Sequence, residues 1–169
     1  MDVRLWAVPA FGVAVVQAVQ SSPSIKELDI SYNVVPFSHR RAVGVALAAL
    51  VAANTCLHTL NIEYSELGDK GLNRLVEALR SATSLRSLSA GGNDLSEGCA
   101  RCRLLPAVLA NTSLTELILH EDDEDDEDDE EDVPLSWASY VQYIVETRSL
   151  GDRSGSGDVV PTAYNGEAT

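Results

Sequence analysis

The chain has little cysteine and no long apolar run, and these shortages exclude two classes of protein. Its 169 residues include three cysteines, Cys56, Cys99 and Cys102. A small and odd number of cysteines favours a reducing compartment over a secreted scaffold held by disulfides. No apolar run approaches the roughly 20 residues that a membrane-spanning helix needs. We therefore expect an intracellular protein, cytoplasmic or nuclear, that has no membrane partner.

The N-terminus lacks two features of a secretory signal. Residues 5–22 are largely apolar, but the preceding MDVR has no net positive charge. A small-x-small cleavage site is also missing at the end of the run. We therefore expect this segment to belong to the fold.

Basic residues are scarce, and the excess of acids is concentrated in one place. The chain has 12 Lys and Arg against 26 Asp and Glu, a net charge of −14. Residues 121–132 hold 12 of the 26 acids, which leaves 14 acids against 12 basic residues elsewhere. Such a chain repels nucleic acid and attracts basic proteins.

The sequence also lacks the short motifs that mark common enzymes. It has no G-x-S-x-G or H-E-x-x-H, and its glycine-rich stretches GGND and GSGD lack the spacing and the lysine of a phosphate loop. Cys99 and Cys102 have no second cysteine pair to complete a zinc site. His39, His58 and His120 lie in different segments without ligand spacing. We expect no enzyme, no cofactor and no metal ligand set.

Four segments, however, share the pattern L-x-x-L-x-L-x-x-N with modest substitutions. They are IKELDISYN (25–33), LHTLNIEYS (57–65), LRSLSAGGN (85–93) and LTELILHED (114–122), and their first residues are 32, 28 and 29 apart. Apolar and polar residues alternate within each segment, which is the period of a half-buried strand. We predict strands over 27–31, 59–63, 87–91 and 116–120.

Between the strands the apolar period becomes helical. Leu72, Leu75, Val76 and Leu79 follow the i, i+3, i+4, i+7 spacing of one helix face. Proline is tolerated in the first turn of a helix but not in its interior, so Pro106 predicts a helix that starts near residue 104. We predict helices over 11–21, 40–53, 70–81, 103–110 and 136–147.

With four copies in phase, the sequence resembles the leucine-rich repeat family, specifically the ribonuclease-inhibitor type with 28- and 29-residue repeats. The resemblance implies an α/β solenoid, with a short parallel sheet on the concave side and helices on the convex side. Physical reasoning agrees, because a single strand–helix unit cannot bury both faces and stacked units share one core. The third repeat departs from the pattern by being one residue longer.

The repeats also define the domain organisation. We expect one domain over residues 1–150, with about four strand–helix repeats, and a Gly/Ser-rich disordered tail over 151–169. Residues 11–21 align with the helix half of a repeat whose strand is missing, so the chain starts in mid-repeat. We expect a monomer.

The acidic tract, residues 121–132, replaces the loop between the last strand and its helix. Twelve adjacent carboxylates repel one another and form neither core nor a stable helix. The tract is a solvated insertion, a docking site for basic partners, or a weak and diffuse site for divalent cations. It comprises Glu121, Asp122, Asp123, Glu124, Asp125, Asp126, Glu127, Asp128, Asp129, Glu130, Glu131 and Asp132.

The outward positions of the strands form a candidate protein-binding surface. They carry four carboxylates and no Lys or Arg, with tyrosines at the strand ends, and aromatics are enriched in protein interfaces. The alternative is an ordinary solvated sheet face. The candidate residues are Glu27, Asp29, Tyr32, Asn61, Glu63, Tyr64, Glu116, Ile118 and His120.

Three functions are compatible with this pattern. We expect foremost a non-catalytic interaction module that binds a protein, basic in charge, on the concave face with help from the acidic tract. The second is a GTPase regulator, because Ran GTPase-activating proteins look similar in joining such repeats to an acidic segment. The third is an acidic histone-binding protein, since one nuclear family also joins leucine-rich repeats to an acidic tract.

Overall fold

Short strands alternate with helices in the computed structural model, which describes residues 5–119 and 136–151. The strands are β1 (Glu27–Asp29), β2 (Thr59–Asn61), β3 (Ser87–Ser89) and β4 (Glu116–Ile118). The helices are α1 (Pro9–Gln20), α2 (Arg40–Ala53), α3 (Gly68–Leu79), α4 (Glu97–Cys99), α5 (Leu105–Ala110) and α6 (Trp137–Gly151). A 3-10 turn, Leu5–Ala7, precedes α1, and a π-helix, Ala100–Leu104, joins α4 to α5. Within the described ranges, no helix is both long enough and apolar enough to span a membrane.

The four strands form one parallel sheet in sequence order, β1-β2-β3-β4. Leu28, Leu60, Leu88 and Leu117 are aligned across it. Each strand is three residues long, shorter than predicted. The backbone pairing nevertheless continues, because Ile30 N donates to Asn61 O at 2.9 Å. The prediction of parallel, adjacent strands is therefore confirmed.

The core lies between the sheet and the helices. All four residues of the predicted α3 stripe are buried, and so are the inward leucines of β2, β3 and β4. Burying one such side chain contributes roughly 1.5–3 kcal/mol. Trp6 lies against Gly12 of α1 and is 1% exposed, so the apolar N-terminal segment is part of the packed fold.

The helix of the third repeat begins earlier than predicted. Ser96 precedes it, and the Ser96 hydroxyl accepts a hydrogen bond from Cys99 N at 3.1 Å, as an N-cap does. Pro106 therefore lies well inside the helical stretch, and the prediction of a start near residue 104 is wrong. The π-helix before the proline is the local adjustment that the prediction missed.

This π-helix also accounts for the extra residue of the third repeat. Gly71 and Cys99 occupy equivalent positions 28 residues apart, whereas Leu75 and Leu104 are equivalent at 29. The offset changes within Ala100–Leu104, where Leu105 N donates to Ala100 O. A π-turn adds one residue to a helix without shifting the faces on either side. The inward apolar residues therefore stay in register with the preceding repeat.

The last helix, α6, covers the β4 end of the sheet. Val141 and Val145 are buried, and the Arg148 guanidinium donates to Val108 O at 3.0 Å and Leu114 O at 3.1 Å. The Ser136 hydroxyl accepts from Ser139 N at 3.0 Å, which confirms its predicted role as N-cap. α6 thus satisfies backbone carbonyls of the last described repeat.

Buried asparagines join consecutive repeats. The Asn54 amide donates to Val19 O at 2.9 Å and its oxygen accepts from Leu57 N at 2.7 Å. The Asn111 amide donates to Leu79 O at 2.6 Å and Ala82 O at 3.0 Å, and its oxygen accepts from Leu114 N at 2.7 Å. Asn111 is 1% exposed, so the Asn-Thr-Ser sequence around it is structural and is shielded from glycosylation in the folded chain.

Helices α2 and α3 approach each other through glycine. A Cβ placed on Gly44 would lie 1.9 Å from the carbonyl oxygen of Gly71, which is backbone and cannot move aside freely. At Gly98, by contrast, the nearest atom to an added Cβ is the Ser96 hydroxyl at 3.8 Å. Gly44 is therefore required for helix packing, whereas Gly98 is not.

Replacing Asn111 by Ala should lower the free energy of unfolding by about 2–4 kcal/mol, because buried carbonyls and amides on two repeats lose their partners. The control is the half-buried Asn73, whose side-chain oxygen accepts a weak hydrogen bond from the Cys99 thiol. Asn73→Ala should cost less than about 1 kcal/mol. Urea unfolding followed by circular dichroism measures both, and equal losses would contradict the bridging role.

Gly44→Ala should lower the free energy of unfolding by roughly 1–3 kcal/mol through overpacking against α3. Gly98→Ala is the matched control, since alanine there gains helix propensity in open space. It should be neutral or stabilising by up to about 1 kcal/mol. Thermal unfolding of the two variants measures the difference, and a stable Gly44→Ala protein would exclude the close helix contact.

Candidate functional site: the outer face of the sheet

The outward strand positions line up in two rows across the sheet. This surface, together with the strand-end residues that follow it, is called the sheet face below. One row is Glu27, Thr59, Ser87 and Glu116, and the other is Asp29, Asn61, Ser89 and Ile118. Side chains of alternate strand residues lie on the same face, so these rows are set by the repeat register.

Carboxylates are concentrated at the β1 end of the sheet face. Glu27 and Asp29 are exposed, and Glu63 follows β2 beside them. The Asp29 carboxylate accepts from Ser31 N at 2.9 Å and from the Ser31 hydroxyl at 2.7 Å. These bonds leave the second carboxylate oxygen of Asp29 available to a partner.

Two tyrosines stack at the strand ends. The ring centroids of Tyr32 and Tyr64 are 4.5 Å apart with an interplanar angle of 13°. Tyr32 is 69% exposed, so one ring face is open to solvent. The third repeat has Gly92 at the equivalent position, where a Cβ would lie 2.7 Å from the Tyr64 ring. The ladder therefore runs from Tyr32 through Tyr64 onto the Gly92 backbone.

Both tyrosines have left-handed backbone conformations. Their φ angles are 55° at Tyr32 and 51° at Tyr64, and Gly92 has 63°. Bulky residues seldom adopt positive φ, and such residues cluster at functional sites. Tyr32 N donates to Glu63 O at 2.8 Å, and Tyr64 N donates to Gly91 O at 3.0 Å. The sheet thus holds each turn in place and fixes the direction of both rings.

The structure brings together only part of the predicted site. Six of its residues lie on or just after β1 and β2, whereas Glu116 and Ile118 lie on β4, two strands away from β2. His120 and the acidic tract fall outside the described residues. The six residues are Glu27, Asp29, Tyr32, Asn61, Glu63 and Tyr64.

Sequence reasoning missed two features of the surface. It placed Tyr32 and Tyr64 at the strand ends but did not anticipate their stacking, which the shared register position could have indicated. It also missed a basic groove on the helices. Arg74 and Arg103 line this groove, and their equivalent positions 29 residues apart were the available signal.

The Cys99–Cys102 pair offers little reactivity at its buried member. Burial, with the nearby Asp69 carboxylate second, raises the pKa of the Cys99 thiol to about 11. The thiol therefore stays protonated at neutral pH, and it donates to Asn73 Oδ1 at 3.3 Å. Across residues 5–119 and 136–151, no three His, Cys, Asp or Glu residues are grouped so as to hold a metal ion.

Comparisons with known proteins agree with this geometry. A family model described as "Leucine Rich repeat" matches residues 53–76. The solved structure of "Leiomodin-1 Actin-Binding Site 2 (ABS2)" has a TM-score of 0.55 at 18% identity over 63% of this chain. The chain spans 60% of the length of that structure.

A second solved structure is a tropomodulin C-terminal domain of Caenorhabditis elegans, with a TM-score of 0.45 at 10% identity over 83% of this chain and 93% of its own length. Among curated proteins, none matches the sequence. The four aligned strand–helix units and the matched family model lead to one conclusion. The chain is a leucine-rich repeat protein with an α/β fold.

Proposed function

We propose that this protein is a non-catalytic interaction module that binds a basic protein on the sheet face, with the acidic tract assisting. The Tyr32–Tyr64 stack carries the proposal, because it combines exposure, fixed ring direction and unusual backbone geometry. The proposed module comprises residues 1–150 as one domain and acts as a monomer, with residues 151–169 outside the repeats.

The stacked rings suit a contact centre. An exposed aromatic surface gains free energy when a partner covers it, and tyrosine is enriched among the residues that dominate interface energies. The rings are already ordered by the sheet, so binding costs little conformational entropy. The two rings therefore act as one pre-organised platform.

The surrounding charge selects the sign of the partner. Glu27 and Asp29 are exposed beside the platform, and the predicted site contains no Lys or Arg. The acidic tract follows β4 in the sequence and adds twelve carboxylates. Complementary charge raises the association rate and disfavours partners of the same sign. Both features support a basic partner.

Basic proteins of several kinds remain candidates, and histones fit the charge best. A GTPase regulator of the Ran type is the alternative, and so is a protein that binds actin, as the leiomodin-1 site does by its name. The likeness to leiomodin-1 concerns the fold alone, so the acidic sheet face of this chain supports the histone-binding function first. A histone binding assay, a GTPase-stimulation assay and an actin co-sedimentation assay separate the three.

Changing Tyr32 and Tyr64 to Ala should speed dissociation of a bound core histone complex roughly tenfold or more, because interface centres of this kind are worth about 2 kcal/mol. The association rate and its salt dependence should stay unchanged, since no charge is removed. Surface plasmon resonance at several NaCl concentrations measures both rates.

Tyr143→Ala is the matched control, because Tyr143 lies on α6, is 47% exposed and is away from the strands. It should leave both rates unchanged. Faster dissociation in the control, or unchanged dissociation in the Tyr32 and Tyr64 variant, would remove the sheet face as the binding surface.

Replacing residues 121–132 by a Gly/Ser loop of equal length should slow association with the same histones and flatten its salt dependence. Charges steer a partner at a distance and are screened over roughly 8 Å at physiological salt. Removing repulsion among twelve carboxylates should leave thermal stability unchanged or slightly raised. If neither the association rate nor its salt slope changes, the tract is a tolerated insertion.

A further inference from the structure

A second charged surface lies on the helices. An open groove of about 270 Å³ is lined by Arg41, Lys70, Asn73, Arg74, Glu77 and Arg103. These residues come from α2, from α3 and from the π-helix before α5, so the groove crosses three consecutive repeats. It is called the helix groove below. An elongated ligand that lies across the helices could contact all three repeats.

The helix groove is basic. Four cationic side chains line it against one carboxylate. Glu77 binds Arg74 at 2.9 Å and Arg103 at 3.1 Å, and both arginine side chains remain about half exposed. One carboxylate cannot neutralise two arginines, and it holds both in fixed positions. Unused guanidinium N–H groups are thus available to carboxylates of a ligand.

An exposed aromatic ring borders the groove. Phe37 is 68% exposed, and the Lys70 ammonium lies 4.5 Å from the centre of its ring. The Arg40 guanidinium is 5.4 Å from the same ring. An apolar residue of a ligand would pack on Phe37 while neighbouring acids meet the cations. The combination favours a peptide that carries an apolar side chain among acids.

We propose that the helix groove binds an acidic segment of a partner protein, one that contains an apolar residue. Charge complementarity and the row of cations across three repeats determine the occupant. Nucleic acid fits less well, because the chain carries a net charge of −14 and repels a long polyanion beyond the groove. A short acidic peptide meets only the local field.

This surface differs in place and sign from the sheet face. The sheet face is acidic and lies on the strands, whereas the helix groove is basic and lies on the helices. Loss of one binding activity should therefore leave the other intact, and each proposal can fail alone.

The test uses the full chain and a fluorescein-labelled peptide, EEDFEEDE, with fluorescence anisotropy as the readout. Lys70→Glu and Arg41→Glu should each weaken binding roughly fivefold, which corresponds to the upper range for one exposed charge pair. Binding should also weaken as NaCl is raised. Phe37→Ala should weaken EEDFEEDE but not the peptide EEDAEEDE, in which alanine replaces phenylalanine.

Two variants are matched controls. Arg80→Glu changes the charge by the same amount as Lys70→Glu, but Arg80 follows α3 roughly 15 Å along the helix, beyond the screening distance. It should change the affinity less than about twofold. Tyr32→Ala alters the sheet face and should leave peptide binding unchanged.

Three results would overturn the proposal. The first is no peptide binding by the full chain, or equal loss in Arg80→Glu. The second is equally tight binding of a single-stranded RNA of similar length, lost in Lys70→Glu, since the groove would then be a general polyanion site. The third is tighter peptide binding after residues 121–132 are replaced by Gly/Ser, because the chain's own tract would then be the ligand.

Discussion

Each repeat depends on its neighbour to satisfy its buried backbone groups. A strand three residues long with a single helix leaves amides and carbonyls unpaired, and burial makes each unpaired group costly. Asn54 and Asn111 resolve this by joining the helix end of one repeat to the turn of the next. Stacking is therefore required by hydrogen bonding as well as by the apolar core.

Stacking also limits how the chain can vary. Helices α2 and α3 lie so close that Gly44 faces the Gly71 carbonyl. The extra residue of the third repeat is confined to a π-helix, which keeps Leu104 aligned with Leu75. Both details preserve the register, because a shift in one repeat would misplace the inward leucines of the next.

The same register builds the two surfaces on which function is proposed. Tyr32 and Tyr64 stack because their strands are paired neighbours, and Arg74 meets Arg103 across Glu77 because their helices are adjacent. The sheet face is acidic and the helix groove is basic, so one rigid scaffold presents opposite charges on its two sides. Such a scaffold could hold two partners of opposite sign at once.

Local patterns in the sequence were sufficient for the repeats, the parallel order of strands, the α2 bounds and the buried stripe of α3. Those features depend on periods within a few residues, which each segment carries by itself. The early start of the third helix was not predictable from Pro106 alone, because the π-helix that accommodates it forms only in the packed helix.

The tyrosine stack, the Gly44 contact and the helix groove were decided by tertiary structure. Their partners are 26 to 32 residues apart, as for Tyr32 and Tyr64 or for Glu77 and Arg103. A sequence pattern states which face a side chain takes. Only the superposition of one repeat on the next determines which distant side chain it meets.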